Sequence, residues 1–291
     1  MHIPSIEVHR AASLEEAGAL LGRYSPDVRL LAGGTDVLVD LKTERYRVGH
    51  LVALQGVGTL RGILRQTDGS LRIGALTTIT ELDRSTLIAG AYAALRDATS
   101  QMATPQVRNA ATVGGNVAGA VPCADLPPIL IAMNAAALAW SPRGERSIAL
   151  EDLILGPRKT LLREDELLAG LHVPVPPARF GAAYARFALR EANAIAVAGV
   201  AASLVLNDDG TGKSARIALC AVAPTPKLVK PAGEALVGRA LTRATCDKAA
   251  EAAMNAAEPI TDLRGSAQYR RQLVGILTGR AIAAARQRTG R

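Results

Sequence analysis

Two short segments place adjacent glycines beside a hydroxyl side chain: Ala32-Gly33-Gly34-Thr35-Asp36 and Thr112-Val113-Gly114-Gly115-Asn116. Each follows a segment that reads as a strand. Glycine has no Cβ to hold a ligand away from the backbone and accepts the positive φ of a tight turn. Successive N–H groups in such a turn form a concave, positively polarised nest for an anion. Two such loops facing one another suit the two ends of a diphosphate, and hence a dinucleotide. Neither loop contains the lysine of a Walker-type phosphate loop, and neither fits Gly-x-Gly-x-x-Gly, which disfavours a nucleoside-triphosphate hydrolase and a Rossmann site. Taken singly, each Gly-Gly pair is equally the mark of a structural turn. The residues alone therefore lead to a candidate dinucleotide site and stop there.

Other reactive side chains are sparse. Cys123, Cys220 and Cys246 are too few and too scattered for a disulfide framework, and cannot supply the four thiolates of an iron–sulfur cluster. Each reads as a small buried hydrophobe. His2, His9, His50 and His172 show no zinc-like spacing, and neither His-Glu-x-x-His nor Cys-x-x-Cys occurs. Any redox centre held by this chain must then be an organic cofactor.

The elements that position these residues belong to a chain of 291 residues, 49% hydrophobic and 21% charged, enough for two domains with packed cores. The longest nearly unbroken apolar stretch, Ile195 to Leu206, is shorter than the roughly 20 residues of a membrane span. The opening Met-His-Ile-Pro-Ser-Ile-Glu has neither a basic start nor a long apolar run, so no signal peptide and a cytoplasmic location are expected. Net charge is +8, and most of the excess lies after Asp262, in Arg264, Arg270, Arg271, Arg280, Arg286, Arg288 and Arg291. These arginines fall largely on an apolar-periodic helix without interleaved aromatics, which points to a solvated face or an acidic partner surface rather than to nucleic acid.

Ser13 and Glu16 form a capping box for a helix that Gly22 ends. Strand, glycine loop and helix start follow over Val28–Leu41, with further strands at His50–Leu54 and Leu71–Leu76 and a helix near Ala89–Gln101. After the second glycine loop comes an apolar segment reaching Trp140. Three prolines in four positions at 174–177 break both helix and sheet. The expected boundary falls there, between residues 1–175 (subdomains about 1–55 and 56–175) and residues 181–291. Beyond it, Tyr184–Arg190, Ile195–Leu206 and Ser214–Val222 read as strands, the last two joined by the hairpin signal Asp208-Asp209-Gly210. Helices follow near Ala232–Val237, Arg243–Ala256 and Ala267–Arg286. The fold class is α+β throughout.

Six motifs now stand in a specific order. They are Ala32-Gly33-Gly34-Thr35-Asp36, Ala103-Thr104-Pro105-Gln106-Val107-Arg108-Asn109, Thr112-Val113-Gly114-Gly115-Asn116, Ala124-Asp125-Leu126-Pro127-Pro128, Val222-Ala223-Pro224-Thr225-Pro226 and Gly265-Ser266-Ala267-Gln268-Tyr269-Arg270-Arg271. Over essentially its whole length the chain resembles the FAD-binding medium subunit of the xanthine dehydrogenase and carbon monoxide dehydrogenase family of molybdenum hydroxylases. The resemblance implies an N-terminal two-subdomain FAD-binding fold of the vanillyl-alcohol-oxidase type and a C-terminal domain with a three-stranded antiparallel sheet packed by helices. It implies that Leu31, Ala32, Gly33, Gly34, Thr35, Asp36 and Val37, with Thr112, Val113, Gly114, Gly115 and Asn116, hold the FAD diphosphate. By the same resemblance Asp125 contacts the cofactor, Leu168 lies against the flavin ring, and Met102 sits where some relatives place a phenylalanine. Arg186 stands where relatives usually carry lysine, near the pyrimidine edge of the ring. A cation there stabilises a reduced flavin, and arginine offers a planar fork in place of a point charge.

The resemblance further implies electron transfer. Substrate is oxidised at a molybdenum cofactor on a large partner subunit, and electrons pass through 2Fe-2S clusters on a small partner subunit to this FAD and on to an acceptor, in a dimer of heterotrimers. The cysteine-rich insertion that gives some relatives an extra four-iron cluster is missing here. No general base or nucleophile is evident. The alternatives are a self-contained flavin oxidase or reductase of the same fold, a scaffold without FAD, and a basic nucleic-acid-binding module.

Overall fold

The computed structural model describes residues 5–290. His2, Arg291 and the first residues of the opening segment lie outside the described residues.

The chain begins with a parallel sheet, built from β1 (Glu7–Arg10), α1 (Leu14–Tyr24), β2 (Val28–Leu31), α2 (Val37–Lys42) and β3 (His50–Ala53). The strand order is β1-β3-β2, so Glu7 and Val28 both pair with His50. Ser13 Oγ caps α1 by accepting from Glu16 N, and the Glu16 carboxylate accepts from Ala12 N at 2.8 Å. The helix does not end at Gly22 as its sequence suggests. It runs on to Tyr24 and stops before Pro26, whose ring disfavours helical backbone at Ser25.

Next come β4 (Ile63–Arg65), β5 (Leu71–Gly74), α3 (Ile79–Arg84), α4 (Ala94–Thr99), α5 (Pro105–Ala110), α6 (Val113–Ala118), α7 (Leu126–Ala132), β6 (Ala136–Ser141), β7 (Gly144–Ala149), α8 (Leu150–Leu153), β8 (Ile154–Gly156), β9 (Lys159–Thr160) and β10 (Leu167–Val173). Five of the strands form an antiparallel sheet in the order β4-β5-β10-β6-β7. The helix expected near 89–101 is only α4, preceded by a 3-10 turn over Gly90–Tyr92 in which Gly90 has a φ of +56°.

Residues 174–179 carry no regular structure. Beyond them β11 (Phe180–Ala188), β12 (Ala196–Leu206) and β13 (Gly212–Cys220) are antiparallel, and the two-residue β14 (Lys227–Leu228) extends the three expected strands by a fourth. Gly210, at a φ of +81°, makes the β12–β13 turn. Helices α9 (Lys230–Glu234), α10 (Arg243–Ala256) and α11 (Ala267–Arg288) complete the chain.

The apolar run of β12 is explained by burial on both faces. One face packs on α11; the other packs on α7 from the N-terminal half. Ser203, the polar residue inside that run, donates to Ala132 O at 2.6 Å. Consequently Ala182, Tyr184, Ala201, Ala218 and Cys220 share one continuous core with Ile129, Leu130 and Leu171. Several of the C-terminal arginines turn inward. Arg288 makes a two-pronged pair with Asp97 at 2.6 and 2.9 Å, and the buried Arg270 pairs with Asp262. Among the described residues, no helix is long and apolar enough to cross a membrane.

Candidate cofactor-binding site

The first glycine loop leaves the end of β2, where Leu54 N donates to Leu31 O at 3.0 Å and Gln55 holds the Ala32 carbonyl at 2.5 Å. Gly34 takes a φ of +75°. Among the described residues, the N–H groups of Gly33, Gly34 and Thr35 donate to no protein acceptor. Three successive amides without a protein acceptor, beside a cavity, are what an anion nest requires.

The second glycine loop is built differently. It follows a helix, α5, not a strand, and its glycines lie in the first turn of α6 behind the N-cap Thr112. Its N–H groups are occupied: Val113 N donates to Thr77 O, Gly114 N to Ala75 O, Gly115 N to Thr112 Oγ1 and Asn116 N to Thr112 O, all at 2.8–3.0 Å. Its amides therefore form no nest. The glycines serve close packing instead, since a Cβ on Gly114 would lie 2.6 Å from Ala75 Cβ.

The two loops meet. A Cβ on Gly33 would fall 1.9 Å from the Ala110 carbonyl oxygen, two residues before Thr112. Both segments line a single cavity of about 780 Å³, within the roughly 300–1,000 Å³ of small-molecule sites. Of the residues singled out from sequence, Ala32, Gly33, Gly34, Thr35, Asp36, Val37, Met102, Thr112, Gly114, Gly115, Asn116, Asp125 and Leu168 line it. Leu31, Val113 and Arg186 do not. Leu31 packs behind the loop against Leu41 and Leu51, and Val113 is buried in the main core.

Within the wall, Asn116 Nδ2 lies 3.7 Å from the Met102 sulfur, while its Oδ1 is buried without any hydrogen-bond donor. Such an atom carries a desolvation cost unless a ligand satisfies it. Asp125 accepts from the Tyr184 hydroxyl at 2.7 Å and from Arg186 Nη1 at 3.2 Å. Burial pushes its carboxyl above the ordinary range, against the opposing pull of Arg186 and Tyr184. Arg186 also donates to the carbonyls of Ala194 and Gln101, so its fork ties three segments together behind the cavity wall.

Some lining residues carried no motif. Arg158, at a φ of +59°, donates its N–H to Ala120 O at 2.8 Å and pairs its side chain with the buried Asp40. The only sequence cue is the preceding Gly156-Pro157 turn signal. Glu166 is clamped by Arg146 Nε at 2.6 Å and by Arg163 N at 2.8 Å, and the Arg146 fork draws its carboxyl down to about 2. Asn193, Ala194 and Ile195 reach the cavity from beyond the linker, and Asn193 N donates to Ala103 O at 3.3 Å.

Residues 4–176 match the family model of the FAD binding domain in molybdopterin dehydrogenase, and residues 182–285 that of the CO dehydrogenase flavoprotein C-terminal domain. The chain belongs to the FAD-binding medium-subunit family of the molybdenum hydroxylases. Within that family it is 36% identical over 278 residues to the xanthine dehydrogenase FAD-binding subunit of Escherichia coli O157:H7, covering 95% of this chain and 94% of the relative. It is also 36% identical to the carbon monoxide dehydrogenase medium chain of Afipia carboxidovorans, covering 98% of each. Among solved structures, carbon monoxide dehydrogenase from Hydrogenophaga pseudoflava superposes with a TM-score of 0.95 at 36% identity, over 99% of both chains. Quinoline 2-oxidoreductase from Pseudomonas putida 86 superposes with a TM-score of 0.91 at 31% identity, again over 99% of both chains.

Proposed function

We propose that this chain holds FAD in the cavity between its two glycine segments and works in the cytoplasm as the electron-transfer subunit of a heteromeric molybdenum hydroxylase. Its partners are a large molybdenum-cofactor subunit, where substrate is oxidised, and a small 2Fe-2S subunit that delivers the electrons, assembled as a dimer of heterotrimers. The division at residues 174–180 into a segment of 1–175 and one of 181–291 belongs to the same reading.

One observation carries the cofactor assignment: Gly33, Gly34 and Thr35, whose amides among the described residues donate to no protein acceptor, line the same cavity as Thr112, Gly115 and Asn116 of the second glycine segment. The amides are donors for a diphosphate, and Asn116 adds a polar side chain to the opposite wall. Bound FAD supplies a centre that takes electrons singly and stores two. The chain's own residues bind and orient it. Arg158, itself on the cavity wall, is paired with the buried Asp40 and so shapes the pocket beside the first glycine segment. Met102 and Leu168 give the ring apolar walls. Leu31 and Val113 back the two segments from the core. Arg186 acts as a positioning residue, since its charge is largely matched by Asp125 behind the wall.

Support for a subunit rather than a self-contained oxidase comes from the end-to-end match with chains named as FAD-binding or medium subunits. A purified chain is expected to be yellow, to release FAD on heating, and to transfer electrons only to artificial acceptors. Co-expressed with its partners, it is expected in a complex containing molybdenum and iron, in which substrate reduces the flavin. A chain that stays colourless in excess FAD overturns the cofactor assignment; substrate turnover by the isolated chain overturns the subunit assignment.

A further inference from the structure

We propose that Glu7, His9 and His50 form a binding site for a divalent transition-metal ion of the zinc class, on the face of the parallel sheet and separate from the cofactor cavity. The sequence gives no hint of it, because His9 and His50 lie on different strands. The fold joins them. Glu7 and His9 alternate by two residues on β1 and so share one face, and the parallel register sets His50 of β3 directly beside Glu7.

Donor atoms of all three side chains fall within 4.8 Å of one another. His9 Nε2 and His50 Nδ1 are 3.1 Å apart, close to the roughly 3.3 Å edge of a tetrahedral ion with metal–nitrogen bonds of about 2.0–2.1 Å. The Glu7 carboxylate lies 3.8 Å from His9 Nδ1 and 3.7 Å from His50 Nδ1. Those separations are too long for hydrogen bonds; the one to His50 is to the nitrogen that faces His9, and the one to His9 is to its other ring nitrogen. A cation bound by one donor atom of each side chain makes use of the gathering of all three within 4.8 Å of one another.

Tyr24, at the end of α1, stacks on both rings with centroids 3.9 Å from His50 and 4.6 Å from His9. The stack covers the apolar ring faces and fixes their orientation. Glu7 is 66% exposed, so an ion enters from solvent and keeps at least one position for water, as in a three-ligand zinc site. Among the described residues, neither ring has a further hydrogen-bond partner to hold its tautomer. Affinity is therefore expected to fall about 10–100-fold below that of a site with a complete outer shell.

The test is calorimetric titration of the full chain with zinc chloride after chelator treatment. Saturable binding of one ion per chain is expected. His9→Asn and His50→Asn should each weaken it at least about tenfold, Glu7→Gln should weaken it less, and Cys246→Ser should leave it unchanged. FAD content of the variants reports whether they are folded. Copper(II) bound to the unaltered chain should show two nitrogen donors by electron paramagnetic resonance, a readout that needs no variant. The site is overturned if zinc does not bind saturably, if the double histidine variant binds as tightly as the parent, or if bound copper lacks nitrogen coupling.

Discussion

The Arg186 guanidinium stands 3.2 Å from the Asp125 carboxylate, with side chains only 3% and 8% exposed. The pair lies where the two halves of the chain meet, and the Tyr184 hydroxyl closes the other side of the carboxylate. Removing one partner of such a pair strands a charge in a poorly solvated place. Asp125→Ala is expected to lower stability by about 3–5 kcal/mol. Tyr184→Phe should cost about 1–3 kcal/mol. Arg186→Lys keeps the cation but loses the fork to Gln101 and Ala194, and should fall between wild type and Asp125→Ala. Urea denaturation of the three variants checks the order; a neutral Asp125→Ala would show that the pair contributes nothing.

Gly33 and Gly22 make a matched test of backbone approach. A methyl group on Gly33 would strike a backbone carbonyl at 1.9 Å, while one on Gly22 meets nothing within 4 Å. Gly33→Ala is expected to cost at least about 1–3 kcal/mol and to abolish FAD retention. Gly22→Ala, inside α1, should stabilise by about 0.5–1 kcal/mol with FAD content unchanged. Thermal melts and flavin absorbance report both quantities.

Asn116→Leu should act with opposite sign on the two forms of the protein. In the FAD-free chain it removes an unsatisfied buried acceptor, and stability should rise by about 1 kcal/mol. In the loaded chain it replaces a polar residue of the cavity wall with an apolar one, and FAD affinity should fall about tenfold, or about 1.4 kcal/mol. Fluorescence titration with FAD and denaturation of the apo chain read the two effects. Equal affinity in parent and variant would separate Asn116 from the cofactor.

The Arg146–Glu166 clamp predicts the acid limb of stability. The folded-state carboxyl titrates at about 2 instead of about 4.5, so the unfolded chain binds the proton first as pH falls. Stability from this group is complete above about 4.5 and is lost as pH drops toward about 2. In Glu166→Gln the loss over that interval should be shallower than in the parent. Denaturation midpoints measured from neutral pH downward give the two slopes.

Much of the architecture was legible in the residues. The strands around Asp208-Asp209-Gly210, the long α10 and α11, and the tight turn at Gly34 follow from local rules that tertiary contacts do not override. The motif order was legible too, and it led to the family. The second glycine segment is helical against its local preference, since adjacent glycines are poor helix formers. Here the bonds from Val113 N to Thr77 O and from Gly114 N to Ala75 O pin the first turn of α6 from outside. Strand β7 escaped notice because Gly144-Glu145-Arg146-Ser147 is polar, as an edge strand of this sheet permits. The contribution of Arg158 and Asn193 to the cavity depends on chain reversals that have no periodicity to reveal them.

Strand β12 is gripped on one side by α11 and on the other by α7. A protein severed at Pro176 would therefore not yield two tidy fragments: Ile129–Ala132 would face water on one piece and Ala201 and Ala218 on the other. Domain shuffling through this proline-rich joint would carry the same penalty, so the flavin half and its companion must be inherited, expressed and folded as one body.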